Sequence, residues 1–550
     1  MRRSFLVLLG FACALVGGCG GAGEPRWAVS QCPPRGEGEP LVGAAARAMR
    51  PRADGEAAFR VSYLGTLEME GHYRRPGETR PFRAEWHVTT DGGAYTRLEF
   101  RTWEGEDRSK ASVETTWLAG SEVVRRDDEG EPYRSLEGFE AQEARALVEA
   151  ALPSRAIDRW AGGCGRLTLL GGSDDGRGRR LERVRPEEGP SRATTLWLEP
   201  GAGALARVER EYGHPRLGDV RDQVDYGRYA WRGQLRVPET VVLRQHRRDE
   251  SFRAELRLLS VETKPGEAGA LVASAREAAA QAATGGVSGE AAGAASGEAA
   301  GGAGGAATGG AGGAATGGAA GLGVREIGPG VFEIVSEAGD VRGLVVEFKR
   351  EVVAIEAPLT SELGERFVDA IGARFPGKKI ASVLFSHYHP HYTGGLRAFL
   401  AAGASVVAPP GGARFAEQLA GRSFTRSPDR LARAPAGPAR VRAFEGSWVL
   451  DDGTNRLEAY DIGAASSHTD EYVVFYLPRA GLLFEGDLGF FGKPGGGVRV
   501  GRRAKGLLGA IEAKGLRVER LVQAWPIKGS PASVGFAEWK ALVGASEAAR

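Results

Sequence analysis

Charge of one sign is missing from this sequence. Its 72 Lys and Arg stand against 70 Asp and Glu, a formal net charge of +2. Nothing in that balance asks for a nucleic-acid or acidic partner. A membrane-length apolar run is missing near the N-terminus too. Phe5 to Val16 is apolar for about a dozen residues, too short to span a bilayer as a mature helix. Cysteine is scarce, with 4 residues in 550, and so is histidine, with 8. Glycine is abundant: the 83 glycines are far above average usage, and many fall in one segment. A chain of 550 residues with 42% hydrophobic content suits two or three domains with real cores.

Arg2 and Arg3 precede the apolar run, and Val16-Gly17-Gly18-Cys19 follows it. This pattern resembles a bacterial lipoprotein signal over residues 1–19, with Cys19 the lipidated residue. Acyl chains there would anchor the chain to a membrane at about 0.8 kcal/mol per buried CH₂. The alternative is an ordinary signal peptide that ends near a cysteine. Gly20 follows Cys19, so no inner-membrane retention signal of the Asp type is present. The expected location is the periplasm or cell surface, anchored in the outer membrane. Cys32 and Cys164 remain in the exported part, as one disulfide or as two buried free cysteines.

Three regions follow. Residues 27–265 alternate apolar and polar side chains, with Phe59, Val61, Tyr63, Leu67 and Met69 on one face of a strand. Asp91-Gly92-Gly93 and Glu199–Gly203 read as hairpin turns, and Tyr226–Trp231, Val237–Arg244 and Phe252–Val261 as further strands. One helix is expected around Glu137–Ala151, so the region reads as mainly antiparallel β. The stretch Tyr226–Thr240 looks like the late strands of lipoprotein-carrier-like half-barrels, whose concave face holds acyl chains or packs on a partner. The alternative is a β-rich spacer that positions the domain after it. Residues 266–322 are Gly/Ala-rich and low in complexity, expected as a disordered tether with transient helix at Ala270–Ala283.

From 323 to 550 strand and helix patterns alternate, implying an α/β layered core. Val331–Val335, Leu344–Phe348 and Val352–Ile355 read as strands, Thr360–Phe375 as a helix, and Lys379–Ser386 as a buried strand. That last strand runs into Ser386-His387-Tyr388-His389-Pro390-His391-Tyr392-Thr393-Gly394-Gly395. Three of the chain's eight histidines thus lie within five residues. Another, His468, precedes the strand Tyr472–Leu477, and Glu485-Gly486-Asp487 closes the strand after it. Three neutral imidazoles plus a water make an open zinc site.

His-x-His before Gly-Gly, then His-Thr-Asp, then Glu-Gly-Asp, each in strand context and in this order, resembles metallo-β-lactamase-fold hydrolases. The resemblance covers nearly all of 323–550 and implies an αββα sandwich. It implies that His387, His389 and His468 hold a first metal, zinc, and that Asp487 is the carboxylate bridging to a second. Glu356 stands where an Asp is usual. The departures concern the second metal. His391 replaces the usual aspartate, Tyr392 replaces a histidine ligand, and Lys528 in Trp525-Pro526-Ile527-Lys528-Gly529 falls where another histidine belongs. One zinc is therefore expected, with a second doubtful. His391 would act as a ligand or base, or as a hydrogen-bond partner of Asp487. Tyr392 would be a packed phenol. Lys528 would supply positive charge in place of the second ion. Residues Gly411–Leu450 are expected as a loop-rich insertion shaping the pocket, with Arg414, Phe415 and Arg422 as contributors.

Two functions fit. One is a mononuclear zinc hydrolase of an ester, amide or thioester, with His391, Asp487 and Lys528 as its catalytic groups and a small molecule as substrate. The other is a catalytically degenerate binding or scaffold lipoprotein. With no basic arm, neither involves nucleic acid.

Overall fold

The computed structural model describes residues 35–49, 57–285 and 322–548, apart from 93–94, 121, 128–131, 164, 177, 202, 248–250, 338, 434–436 and 492–499. The proposed signal and Cys19, the pair Cys32 and Cys164, and residues 286–321 lie outside the described residues.

Beside a separate two-stranded hairpin of Tyr229–Arg232 and Leu235–Pro238, the N-terminal region is built on a 13-stranded antiparallel sheet. Its centre is the pairing of β1 (Ala57–Glu70) with β2 (Thr79–Thr90) and with the strand Ser251–Pro265. Side chains alternate between the faces of a strand, and the sequence uses both. Phe59, Val61 and Tyr63 join Trp86, Leu118 and Val123 in a core covered by helices α1 (Glu39–Met49), α2 (Gly138–Ala151) and α3 (Pro153–Gly162). Sequence patterning gave one of these helices. The first was missed although Val42, Ala45, Ala46 and Met49 are buried at helical spacing. On the opposite face, Ala58, Trp117 and Val124 meet helix α4 (Ala268–Gly285). The start of the stretch expected as a tether is therefore a packed helix. Its Leu271, Ala275, Ala278 and Ala282 recur every three or four residues, and small side chains let a helix lie close on a sheet.

The C-terminal region is two sheets face to face, of seven and six strands. Val345, Val353 and Val383 from the first share a core with Leu457, Phe475, Phe484 and Val522 from the second. Helices α5 (Ser361–Arg374), α6 (Pro390–Thr393), α7 (Leu396–Ala401) and α8 (Pro410–Ala420) follow in chain order, and Phe367, Phe399 and Leu419 pack into the same core. The second sheet's outer face, with Val474, Tyr476 and Leu483, packs on the helices Arg502–Ala513 and Phe536–Ala548. Phe475 inward and Val474 outward show why this strand is apolar throughout. The segment after Gly411 is not all loop. Ala413, Ala416 and Leu419 form the buried stripe of α8, and Glu471 accepts hydrogen bonds at 2.7 Å from both Gly411 N and Gly412 N at its start.

Among the described residues, the two regions are joined by hydrogen bonds at two places. At one, the hairpin turn between Leu205–His214 and Gly218–Tyr226 meets residues 423–427. A Cβ on Gly218 would lie 2.0 Å from the Ser423 carbonyl, so the approach is backbone to backbone. Asp219 accepts from Ser423 Oγ (2.8 Å), Thr425 Oγ1 (2.6 Å), Thr425 N (2.9 Å) and Arg426 N (2.9 Å). Burial works against its charge, yet these donors hold the carboxyl down at about 2. Its contribution to docking is thus full above the free carboxyl's value of about 3.9 and fades as pH falls toward about 2. Asp219→Ala is expected to weaken the contact by about 1–3 kcal/mol and to split thermal unfolding into two calorimetric steps. An unchanged trace would show the hairpin contact to be incidental.

Candidate metal centre

The centre forms at one edge of the sandwich, just past the C-terminal ends of the strands Lys379–Leu384 and Leu482–Glu485. His387 and His389 follow the first strand, Asp487 follows the second, and His468 sits in the loop before Val473–Leu477. The local backbone is tightly held. Thr393 Oγ1 donates to the carbonyls of Tyr388 (2.9 Å) and His389 (3.0 Å). A Cβ on Gly394 would lie 1.8 Å from the Leu359 carbonyl, so that turn needs glycine to pass beneath the start of α5. Ser386 N–H lies 3.2 Å from both carboxyl oxygens of Glu356. Burial pushes that carboxyl well above its usual range. Glu356 has φ +70°, and Ser467 beside His468 has φ +54°, left-handed conformations that cost side-chain-bearing residues roughly 1–3 kcal/mol each.

Three imidazoles converge. One ring nitrogen from each of His387, His389 and His468 lies within 4.8 Å of the others. His387 Nε2 and His389 Nδ1 are 3.0 Å apart. Burial pushes both His387 and His389 well below the usual histidine range, so both are neutral. The Nε2 atom of His468 is buried, with the Asp487 carboxylate close by but no aligned hydrogen bond to it. Three convergent imidazoles, two of them held neutral by burial, beside a carboxylate are a donor set that suits a divalent cation such as zinc, so the residues fit the ion.

Asp487 stands beside them. Tyr472 Oη donates to its Oδ1 (3.0 Å) and Arg503 to its Oδ2 (3.1 Å). His468 Nε2 is 3.3 Å from Oδ2 and His387 Nε2 is 4.0 Å from Oδ1. Burial opposes its charge, but the neighbouring His468 and Arg503 outweigh that and keep the carboxyl well below its usual range. The other positions singled out by sequence lie further out. His391 is half-buried, its ring on Trp525 (centroids 4.6 Å), outside the convergent three. Tyr392 is buried against His387 (4.3 Å), and its hydroxyl has no hydrogen-bond partner, a packed phenol. Burial pushes it well above its usual range, so it stays neutral. Lys528 is exposed, with its backbone N–H held by Asp340. The guanidinium that reaches Asp487 belongs to Arg503, which no motif flagged.

A cavity of about 410 Å³ opens beside the centre. Ser386, His387, Tyr388, Arg414 and Phe415 line it, as do Arg74 and Arg75 from the loop between β1 and β2. That loop is the second place where the two regions touch. Tyr388 Oη donates to the Tyr73 carbonyl at 2.7 Å, and His72 stacks on His389 with centroids 4.7 Å apart.

Residues 358–523 match the model of the Metallo-beta-lactamase superfamily. No curated protein matches the chain. Among solved structures, the metallo-beta-lactamase FIM-1 from Pseudomonas aeruginosa, in its mono-zinc form, is similar at 18% identity and TM-score 0.30, over 41% of this chain and 95% of that one. A metallo-beta-lactamase from Pontibacter korlensis is similar at 18% identity and TM-score 0.30, over 40% and 97%. The inverting sec-alkylsulfatase Pisa1 from a Pseudomonas species is similar at 17% identity and TM-score 0.30, over 40% of each chain. The motif order, the two facing sheets and the matched model agree: the C-terminal region of this chain carries a metallo-beta-lactamase superfamily domain.

Proposed function

We propose that this domain is a mononuclear zinc hydrolase acting on an ester, amide or thioester of a small molecule. The observation that carries the reading is the cluster of His387, His389 and His468, donor atoms within 4.8 Å, with the Asp487 carboxylate 3.3 Å from the buried Nε2 of His468. A zinc ion held there would supply Lewis acidity and bring a water's pKa toward about 7. The chain's own residues do the rest. Asp487, ionised and fixed by Tyr472 and Arg503, is placed to orient the attacking water and accept its proton at Oδ2. Arg503 supplies fixed positive charge at the centre, where it opposes charge developing on a carbonyl oxygen. Lys528 retains only an outer role in this reading. His391, on the Trp525 ring, is a wall of the site and a second candidate base. The substituted second-metal positions support one ion rather than two.

The reading extends to location. The chain is an exported lipoprotein held by Cys19, in the periplasm or at the cell surface, on the outer membrane, with no nucleic-acid partner. The test is elemental analysis of the purified full chain, expected to hold about one zinc per chain, together with turnover of an ester, lactam and thioester panel. Absence of bound metal ends the metal-centre reading. Bound zinc without turnover of any substrate leaves the degenerate binding lipoprotein in its place.

A further inference from the structure

We propose that the N-terminal region is a working part of the metal centre: the loop joining β1 to β2 positions His389 through the Tyr73 carbonyl and closes the centre with His72. This rests on the metal-centre reading above and adds to it a component from outside the superfamily domain.

The argument begins with the two nitrogens of His389. Its Nδ1 faces His387 Nε2 at 3.0 Å, toward the point where the imidazoles converge. Its Nε2 lies 3.2 Å from the Tyr73 carbonyl oxygen, 316 residues away in sequence. A carbonyl only accepts, so Nε2 carries the proton and Nδ1 is left with its lone pair toward the ion. Such an outer partner fixes both the tautomer and the ring orientation of a metal-binding histidine.

The carbonyl is itself pinned. Tyr388 Oη donates to it at 2.7 Å and lies 3.4 Å from the Gly71 carbonyl. The Tyr73 side chain is 4% exposed, with the Arg80 guanidinium 4.4 Å over its ring. His72 stacks on His389 at 24° and meets His391 edge-on, with centroids 5.7 Å apart. The same loop holds the segment that carries His468. Asp470 N donates to the Arg74 carbonyl at 3.1 Å, and Arg75 pairs with the Asp470 carboxylate. One loop thus bridges the two ligand-bearing segments. It is itself carried on long paired strands whose last register pair is Glu70 with Thr79.

The test uses the full chain, with residues 71–78 replaced by an Asn-Gly turn that keeps β1 and β2 paired. Zinc affinity is read by chelator competition, and ligand geometry from the visible bands of the cobalt-loaded protein. Affinity is expected to fall roughly 10–100-fold, with the cobalt bands shifted. His72→Ala and Tyr388→Phe, which leave the backbone of the loop in place, are expected to show the same changes at smaller size. They decide the matter if the loop replacement does not fold. Zinc affinity and cobalt bands unchanged in all the folded variants overturn the proposal. So does faster turnover at unchanged zinc affinity, which would make the loop a cover instead. A wild-type chain that binds no zinc overturns the underlying metal-centre reading as well, so the two failures are distinguishable.

Discussion

His468→Ala is expected to lower zinc affinity by about a hundredfold or more. Structural zinc sites are worth roughly 10–16 kcal/mol shared among four ligands, so one ligand accounts for about 3 kcal/mol. Within the protein its Nε2 faces only the site itself, 3.3 Å from Asp487 Oδ2, a carboxylate that Tyr472 and Arg503 also hold, and its backbone is held separately by Ser466 Oγ at 3.1 Å. Alanine should therefore remove the donor and leave the loop standing. The matched control is His391→Ala. That ring lies on Trp525, outside the convergent three, and its loss should change zinc affinity far less. Isothermal titration against a competing chelator measures both. Equal losses at the two positions would place His391 among the ligands and sink the three-histidine assignment.

Arg397→Met is expected to destabilise the C-terminal domain by about 3–5 kcal/mol, the usual result of stripping one partner from a buried ion pair. Arg397 and Asp429 side chains are 3% and 7% exposed, and they pair through two contacts, at 2.6 and 3.0 Å. The same guanidinium donates to the carbonyls of Leu419, Ala420 and Arg422, closing the end of α8. Methionine fills the space and leaves the Asp429 carboxylate buried with, among the described residues, Ser361 Oγ and the Ala432 backbone N–H to answer it. Urea denaturation of the full chain measures the loss. Adding Asp429→Asn should recover part of it, because the uncompensated charge is then gone. A loss below about 1 kcal/mol would mean that the carboxylate finds water.

Much of the C-terminal domain was legible because the side chains of its candidate site are carried by strand ends. A strand that stops at Leu384 must deliver His387 and His389 to one edge of the sandwich. Strands before Asp487 and after His468 do the same from the facing sheet. Alternation likewise found the N-terminal sheet, since Phe59, Val61 and Tyr63 report one buried face. It could not show that α4 packs: Ala270–Ala283 read as no more than transient helix in a tether, because alanines look like that until a sheet face is there to receive them. Lys528 shows another limit: a motif aligns a backbone position and does not say how exposed its side chain will be. Arg503 was invisible because its role depends on how a helix start lies against Asp487. His72 and Tyr73 were invisible for a stronger reason. Their partners are more than 300 residues away, and nothing in a β1–β2 loop declares which surface it will meet.

The Tyr73 carbonyl against His389 also couples two equilibria. Whatever factor docking of the N-terminal sheet adds to metal affinity, metal must add to docking, because linkage between binding events is reciprocal. If the loop is worth a factor of about ten to a hundred in zinc affinity, zinc is worth about 1.4–2.7 kcal/mol of cohesion between the halves of the chain. The ion then serves as a mechanical fastener as well as a chemical reagent, and a chelator would loosen the architecture before it touched any substrate.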